Sequence, residues 1–195
     1  MATTISGSGI TTGSLDTSAE AISTAELGNG AIIQVVQSVK SDLHEGTAGA
    51  GTYEDIDGTD QAGSGSVWCC KITPTSASNK ILVDVSISYA TSNWSLFFNL
   101  YRDSTIIGQG YDAGGNRSRS TFACSNASAD STDDMGSAHF KYLDSPSSTS
   151  ELTYKVQGSH RAASLTWKIN RSNIGGDYNY VYTASSTITL MEVVA

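Results

Sequence analysis

The stretch that decides the fold runs from Lys80 to Tyr89 and reads KILVDVSISY. Its apolar residues stand at every second position, at 81, 83, 85, 87 and 89, while polar residues occupy positions 84, 86 and 88. Because successive side chains of a strand point to opposite faces of a sheet, this alternation predicts a strand with one buried and one solvent-exposed face.

The same two-residue period returns in residues 96–100, 152–156, 165–169 and 188–190, with clusters of Ser, Gly, Asn and Asp between these runs. The segment YNYVYT, residues 178–183, is also expected to be a strand, paired with the last one. The chain therefore predicts an all-β fold, an antiparallel jelly-roll sandwich of about 8–10 strands. We expect residues 31–195 to form this single domain, since 38% hydrophobic residues suffice for one core.

Residues 1–30 differ from the rest, because glycines interrupt a low-complexity run of Ser, Thr and Ala. Such a segment cannot bury enough apolar surface to fold by itself. Two structures are possible for the segment: one short helix from Ser18 to Leu27, or an extended flexible arm. We predict that the segment is an arm that docks the domain onto a partner. The apolar residues available for docking are Ile5, Ile10, Leu15, Ile22 and Leu27.

Charge and hydropathy exclude several classes of partner. The formal net charge is −8, and only 15% of the residues are charged. An acidic chain without clustered Lys or Arg repels a phosphate backbone, so we expect neither nucleic acid nor anionic membrane as a partner. The first residues lack the basic start and apolar core of a secretory signal, and no apolar run reaches the length of a membrane span. We expect a soluble protein made in a cytosol.

Catalytic and metal-binding patterns are weak. The chain has three histidines, His44, His139 and His160, and none lies in a nucleophile or metalloprotease motif. We therefore expect no enzymatic activity, with a sugar hydrolase built on paired carboxylates as the remaining alternative. We also expect no cofactor. Calcium at three alternating carboxylates is the one metal alternative, although the terminal Glu of a calcium loop is missing. These carboxylates are Asp55, Asp57 and Asp60.

Several predicted strands are apolar on both faces. A second apolar face is unfavourable in water, so we expect it to pack against other copies of the chain. The predicted subunit interface consists of Ile32, Val36, Phe97, Tyr101, Met191 and Val193. The alternative is a carbohydrate-binding module, in which exposed aromatic rings stack on sugars. The rings available for stacking are Trp94, Tyr178, Tyr180 and Tyr182.

A set of motifs in a fixed order carries a family resemblance: ITPTSASNKILVDVSISY at 72–89, LYRDSTIIGQG at 100–110 and SSTITLMEV at 185–193. With the intervening segments, this set resembles virion structural proteins of marine and cyanobacterial tailed bacteriophages over nearly the whole domain. The resemblance implies a jelly roll shaped like the complement and tumour-necrosis-factor heads, assembled as a homotrimer, with its last strand near the threefold axis.

Two roles in the virion remain open from this resemblance. A capsid decoration or cement protein would clamp the major capsid protein, or another virion protein, with its N-terminal arm and so stabilise the shell. A tail-fibre or receptor-binding tip would attach through the arm and touch host glycans with its loops. The chain has neither repeats nor coiled-coil heptads of a fibre shaft, which favours decoration.

Overall fold

The computed structural model describes residues 27–91, 95–125, 134–163, 165–179 and 181–195. These residues contain twelve strands and no helix, which confirms the all-β prediction. The strands are β1 (Ile32–Lys40), β2 (His44–Gly46), β3 (Glu54–Asp55), β4 (Cys69–Ile72), β5 (Lys80–Thr91), β6 (Ser95–Arg102), β7 (Thr105–Ile107), β8 (Phe122–Ser125), β9 (Gly136–Asp144), β10 (Leu152–His160), β11 (Trp167–Ile169) and β12 (Ser186–Val193). Among the described residues there is no helix that could cross a membrane.

The strands form two antiparallel sheets of six strands each. The first sheet has the order β1-β12-β5-β11-β2, and β9 pairs along the other edge of β5, from Ile81 to Tyr89. The second sheet has the order β3-β10-β6-β7, with β4 beside β10 and β8 beside β6. The strand count exceeds the predicted eight to ten because β2 and β3 have only three and two residues, too short to show a period.

The long strands pair in a nested order. The first strand β1 pairs with the last strand β12, β4 with β10, β5 with β9, and β6 with β8. The chain therefore behaves as one long hairpin whose paired halves are distributed over two sheets. This nesting puts β12 in the middle of the first sheet, between β1 and β5.

One predicted strand is absent. Residues 178–183 were expected to pair with β12, but their described part contains only an isolated bridge between Thr183 and Arg171. A backbone hydrogen bond from Val181 N to Tyr178 O closes a turn here. This turn interrupts the extended conformation, and the strand prediction for this segment is wrong.

The core lies between the two sheets and is filled by the alternating residues of the longest strands. On β5, the side chains of Ile81, Val83, Val85 and Ile87 are completely buried, as the period in the sequence predicts. Trp167 on the first sheet reaches across to the second sheet, where its indole occupies the space that a side chain at Gly158 would need. The glycine is therefore required by close packing rather than by backbone conformation.

Backbone hydrogen bonds join the segment before β1 to the C-terminal end of the described chain. Gly30 N donates to Val194 O at 2.8 Å, and Val194 N donates to Ala31 O at 2.9 Å, so pairing with the C-terminal end starts at Gly30. The predicted docking residues Ile5, Ile10, Leu15 and Ile22 lie outside the described residues. Leu27 is the first described residue and is half-buried.

Candidate interaction surface

A row of apolar side chains crosses the outer face of the first sheet. The register places Val35 of β1 opposite Met191 of β12, Met191 opposite Leu82 of β5, and Leu82 opposite Leu143 of β9. The two ends of the row are open to solvent, with Val35 58% and Leu143 47% exposed. Four neighbouring strands thus present one continuous apolar band. We call the outward-facing side chains of β1, β12, β5 and β9 the A face.

The apolar band continues towards the end of the sheet. A β-bulge between Ile32 and Gln34 inserts one residue into β1, which brings Ile32 opposite Val193 on the outer side. Ile32 is 52% exposed. Beside Val193 and Leu143 lies a shallow groove of about 420 Å³ that Asn29, Gly30 and Ala195 border. At this end the apolar band therefore includes a second row, formed by Ile32 and Val193.

The next row of the A face is polar but carries paired charges. Gln37 Nε2 donates to Thr189 Oγ1 at 2.8 Å, and Asp84 forms an ion pair with Lys141. Together with Lys80 opposite Val193, the A face holds two lysines and one aspartate. On a chain with a net charge of −8, this face is locally free of the acidic excess.

The structure divides the six residues predicted as a subunit interface. Ile32, Met191 and Val193 lie together on the A face. Val36 pairs with Leu190 and packs against the core, because the bulge at Ile33 shifts the alternation of β1 by one residue. For Val36, the prediction of an outward-facing position is wrong.

The two aromatic members of that set lie on the opposite side of the molecule. Phe97 and Tyr101 belong to β6 of the second sheet and point away from the core, since Leu96, Phe98 and Leu100 fill it. A single flat contact cannot include both outer faces of a sandwich. The six residues therefore do not form one surface, and sequence reasoning missed Val35, Leu82 and Leu143.

The outer face of the second sheet is polar where it surrounds Tyr101. Lys155 Nζ lies 2.7 Å from Asp55 Oδ1 and 5.7 Å from the centre of the Tyr101 ring. Gln157 Nε2 donates to Asp55 at 2.9 Å. These groups satisfy one another at the surface. The two outer faces of the sandwich thus differ in chemistry.

The structure does not bring the three candidate calcium ligands together. Asp55 has the contacts just described, and Asp60 pairs with Lys71 at 2.9 Å while accepting hydrogen bonds from Ala62 N and Ser64 N. The exposed Asp57 lies 3.3 Å from His44 Nδ1. Each carboxylate therefore has its own partners. Within the described ranges, no group of three or more His, Cys, Asp and Glu side chains is placed to hold a metal ion.

The three histidines lie in different environments. His44 is buried in the first sheet, with its ring 4.9 Å from that of Trp167, and burial lowers its pKa although Asp57 opposes the shift. His139 is exposed on the A face, and His160 is buried at the end of β10. They belong to three separate strands, β2, β9 and β10.

The three cysteines are buried or half-buried. Cys70 lies in the core, and Cys69, its neighbour on β4, is also buried. Burial raises the pKa of the Cys70 thiol to about 12 and that of Cys124 to about 12. Such thiols stay protonated at neutral pH, so they behave as small apolar side chains.

A buried carboxylate joins the last strand to the turn before β5. Glu192 is completely buried, and its Oε1 accepts hydrogen bonds from Thr75 N, Thr75 Oγ1 and Asn79 Nδ2, at 2.7–2.8 Å. Among the described residues it has no ion-pair partner. Glu192 points inward between the outward-facing Met191 and Val193 of β12. Its hydrogen bonds therefore hold in place the strand that carries Met191, at the centre of the apolar band.

The aromatic residues proposed for sugar stacking are only partly described. Tyr178 and Tyr182 are exposed, and they lie in the turn region between β11 and β12 rather than in a strand. Trp94 and Tyr180 are outside the described residues. The most exposed large side chain is Tyr111, which is 92% exposed in the loop between β7 and β8.

No protein-family model matches this chain, and no curated protein matches it. The physical character of its surfaces is therefore the basis for assigning a role.

Proposed function

We propose that the chain is a structural subunit of a bacteriophage virion, a homotrimeric decoration or cement protein that docks through residues 1–30 and stabilises the shell. The proposed self-assembly is supported by the apolar band of the A face, which runs from Val35 through Met191 and Leu82 to Leu143. The proposed location on a virion rests on the sequence resemblance to phage virion proteins.

A second copy of the chain is the occupant that the charges favour. Two copies with a net charge of −8 each repel one another at most orientations. The A face is the region where Lys80 and Lys141 outweigh Asp84, so copies meet there without an acidic excess. Closed rotational symmetry then buries the band on every copy. The polar outer face of the second sheet remains in solvent.

The nested strand pairing supports the jelly-roll part of the proposal. A jelly roll is a double sheet of eight strands built from two Greek keys. The eight strands that pair as β1 with β12, β4 with β10, β5 with β9 and β6 with β8 give the orders 1-12-5-9 and 4-10-6-8. In this arrangement β1 lies at the edge of its sheet and the last strand, β12, lies inside the sheet between β1 and β5, which supports the place near the threefold axis that the resemblance implies for the last strand.

The proposal is tested on the full-length protein in two steps. Light scattering should give three times the chain mass at micromolar concentration, and a monomer would refute the trimer. Cosedimentation with undecorated capsids should then retain the full chain and lose a variant that lacks residues 1–26. This truncation spares the hydrogen bond of Gly30 to Val194, so the domain keeps its start. Attachment of the truncated trimer would place the docking surface elsewhere.

A tail-fibre or receptor-binding tip is the second candidate, and one observation favours it. Tyr111 exposes 92% of its surface in the loop that follows β7, beside the backbone that Arg119 holds through a 2.7 Å hydrogen bond to Gly110 O. Exposed aromatic side chains on loops are common at recognition surfaces. Copy number per particle separates the roles, because shell decoration needs many copies and a tail tip needs few.

A further inference from the structure

A cleft opens between the segment that joins β1 to β2 and the segment that follows β11. Its volume is about 190 Å³. This is below the roughly 300–1,000 Å³ of sites for drug-sized ligands, so the cleft suits a ligand of about one ring. Its wall is formed by Leu43, Arg171, Ile174, Gly175, Val181 and Tyr182. The cleft is separate from the A face, because none of these residues belongs to its four strands.

Arg171 is the one cation in this wall, and its guanidinium has no carboxylate within ion-pair distance among the described residues. Its hydrogen bond is a long one, from Nε to Ser172 O at 3.4 Å. Glu45 interacts electrostatically with Arg171, but its carboxylate forms an ion pair with Lys168. The terminal nitrogens of the fork therefore remain available to a ligand. An arginine fork matches a carboxylate with two parallel hydrogen bonds.

The rest of the wall is apolar and partly aromatic. Tyr182 is 49% exposed, and its hydroxyl accepts a hydrogen bond from Met135 N at 3.1 Å, which holds the ring in place. Leu43 is 46% exposed on the other side. A held aromatic ring offers the flat apolar surface on which the C–H face of a sugar packs. The backbone anchors Arg171 through the bridge to Thr183.

We propose that this cleft binds the carboxylate-bearing sugar unit of an acidic glycan, such as a uronic or a sialic acid. The carboxylate pairs with the Arg171 guanidinium, and the ring packs against Tyr182. A single arginine suits a monoanion. A phosphate dianion would meet only one cation on a strongly acidic chain, which disfavours it. This site goes beyond the proposed structural role and does not depend on it.

The test uses the full-length protein and a panel of methyl glycosides of uronic and sialic acids, each with its neutral counterpart. Binding is measured by titration in saturation-transfer NMR. At least one acidic glycoside should bind saturably in the millimolar range, at least about tenfold tighter than its neutral partner. Arg171→Gln should weaken that binding at least about tenfold, a loss of about 1.4 kcal/mol.

Arg117→Gln is the matched control, since it removes the same charge from an exposed loop away from the cleft. It should leave binding unchanged. Equal affinity for acidic and neutral partners, no saturable binding by any acidic glycoside, or unaltered binding by Arg171→Gln would each overturn the site. Melting temperature and light scattering on both variants show whether fold and assembly persist. Failure of the glycan site with an intact trimer leaves the structural proposal standing.

Discussion

Replacement of Leu143 by Glu is the sharpest test of the A face. Leu143 is at the end of the apolar band and is 47% exposed in the single chain. Full burial of a leucine side chain is worth roughly 1.5–3 kcal/mol, so covering its exposed half contributes about 1 kcal/mol per copy. A carboxylate buried in the same contact adds a desolvation cost of about 1–3 kcal/mol. The substitution therefore costs about 2 kcal/mol or more per copy.

Three copies multiply this cost to about 6 kcal/mol or more, which raises the overall dissociation constant of a trimer by about 10,000-fold. The folded single chain should lose at most about 1 kcal/mol, because the position is half in solvent already. Light scattering and sedimentation across a dilution series should therefore show a folded monomer. The matched control is Leu43→Glu, because Leu43 has the same side chain and is 46% exposed but lies outside the A face. An unchanged Leu143→Glu trimer, or a Leu43→Glu variant that dissociates equally, would contradict the assignment.

Three further predictions concern the fold. Glu192→Ala should lower the free energy of unfolding by about 3 kcal/mol, because it removes a buried carboxylate that accepts three hydrogen bonds, one of them from the buried Asn79. Glu192→Gln should cost less, and denaturant titration measures both. The pKa of His44 is lowered from 6.5 by burial, so its stabilising contribution is present above pH 6.5 and is lost as the pH falls below 6.5. Melting curves should show that His44→Gln flattens this dependence while His139→Gln, on the surface, does not. Gly158→Ala should lower the melting temperature by several degrees, because a methyl group there overlaps the Trp167 indole; an unchanged melting temperature would show that the indole moves freely.

The sequence predicted the fold class because the strands that fill the core are long enough to show their period. β5 alternates from Lys80 to Tyr89, β12 alternates over its whole length, and every inward position on β12 is buried. The short strands β2 and β3 have three and two residues and carry no such signal. Their pairing depends on distant partners, β11 and β10, which no local pattern reveals.

The A face was only half predictable, for two physical reasons. A bulge of one residue at Ile33 reverses the direction of Val36, and such a bulge leaves no mark in a hydrophobic pattern. Strand membership of a sheet is also a long-range property. Phe97 and Met191 look equivalent as outward apolar residues of two-sided strands, yet they belong to opposite sheets.

The motifs that carry the family resemblance meet physically in the structure. The turn residues of ITPTSASN donate three hydrogen bonds to Glu192 of SSTITLMEV. Because Glu192 and Asn79 are buried, a change in either motif alone leaves a buried polar group without its partner. The joint presence of both motifs is thus explained by packing at one end of β12. The sequence alone offered no sign of this contact, since 113 or more residues separate the partners.

The difference between the two outer faces bears on the kind of assembly. If both faces were apolar, copies would stack on either side and the contact would extend without limit, as heterologous contacts do when they fail to close. Here one face has an apolar band across four strands, whereas the other carries the Lys155–Asp55 pair beside Tyr101. Only one outer face of each copy gains from being covered, which supports the proposal of a closed assembly over an open one. In the proposed ring, the polar sheets would face outward and leave the loops and the Arg171 cleft for other contacts.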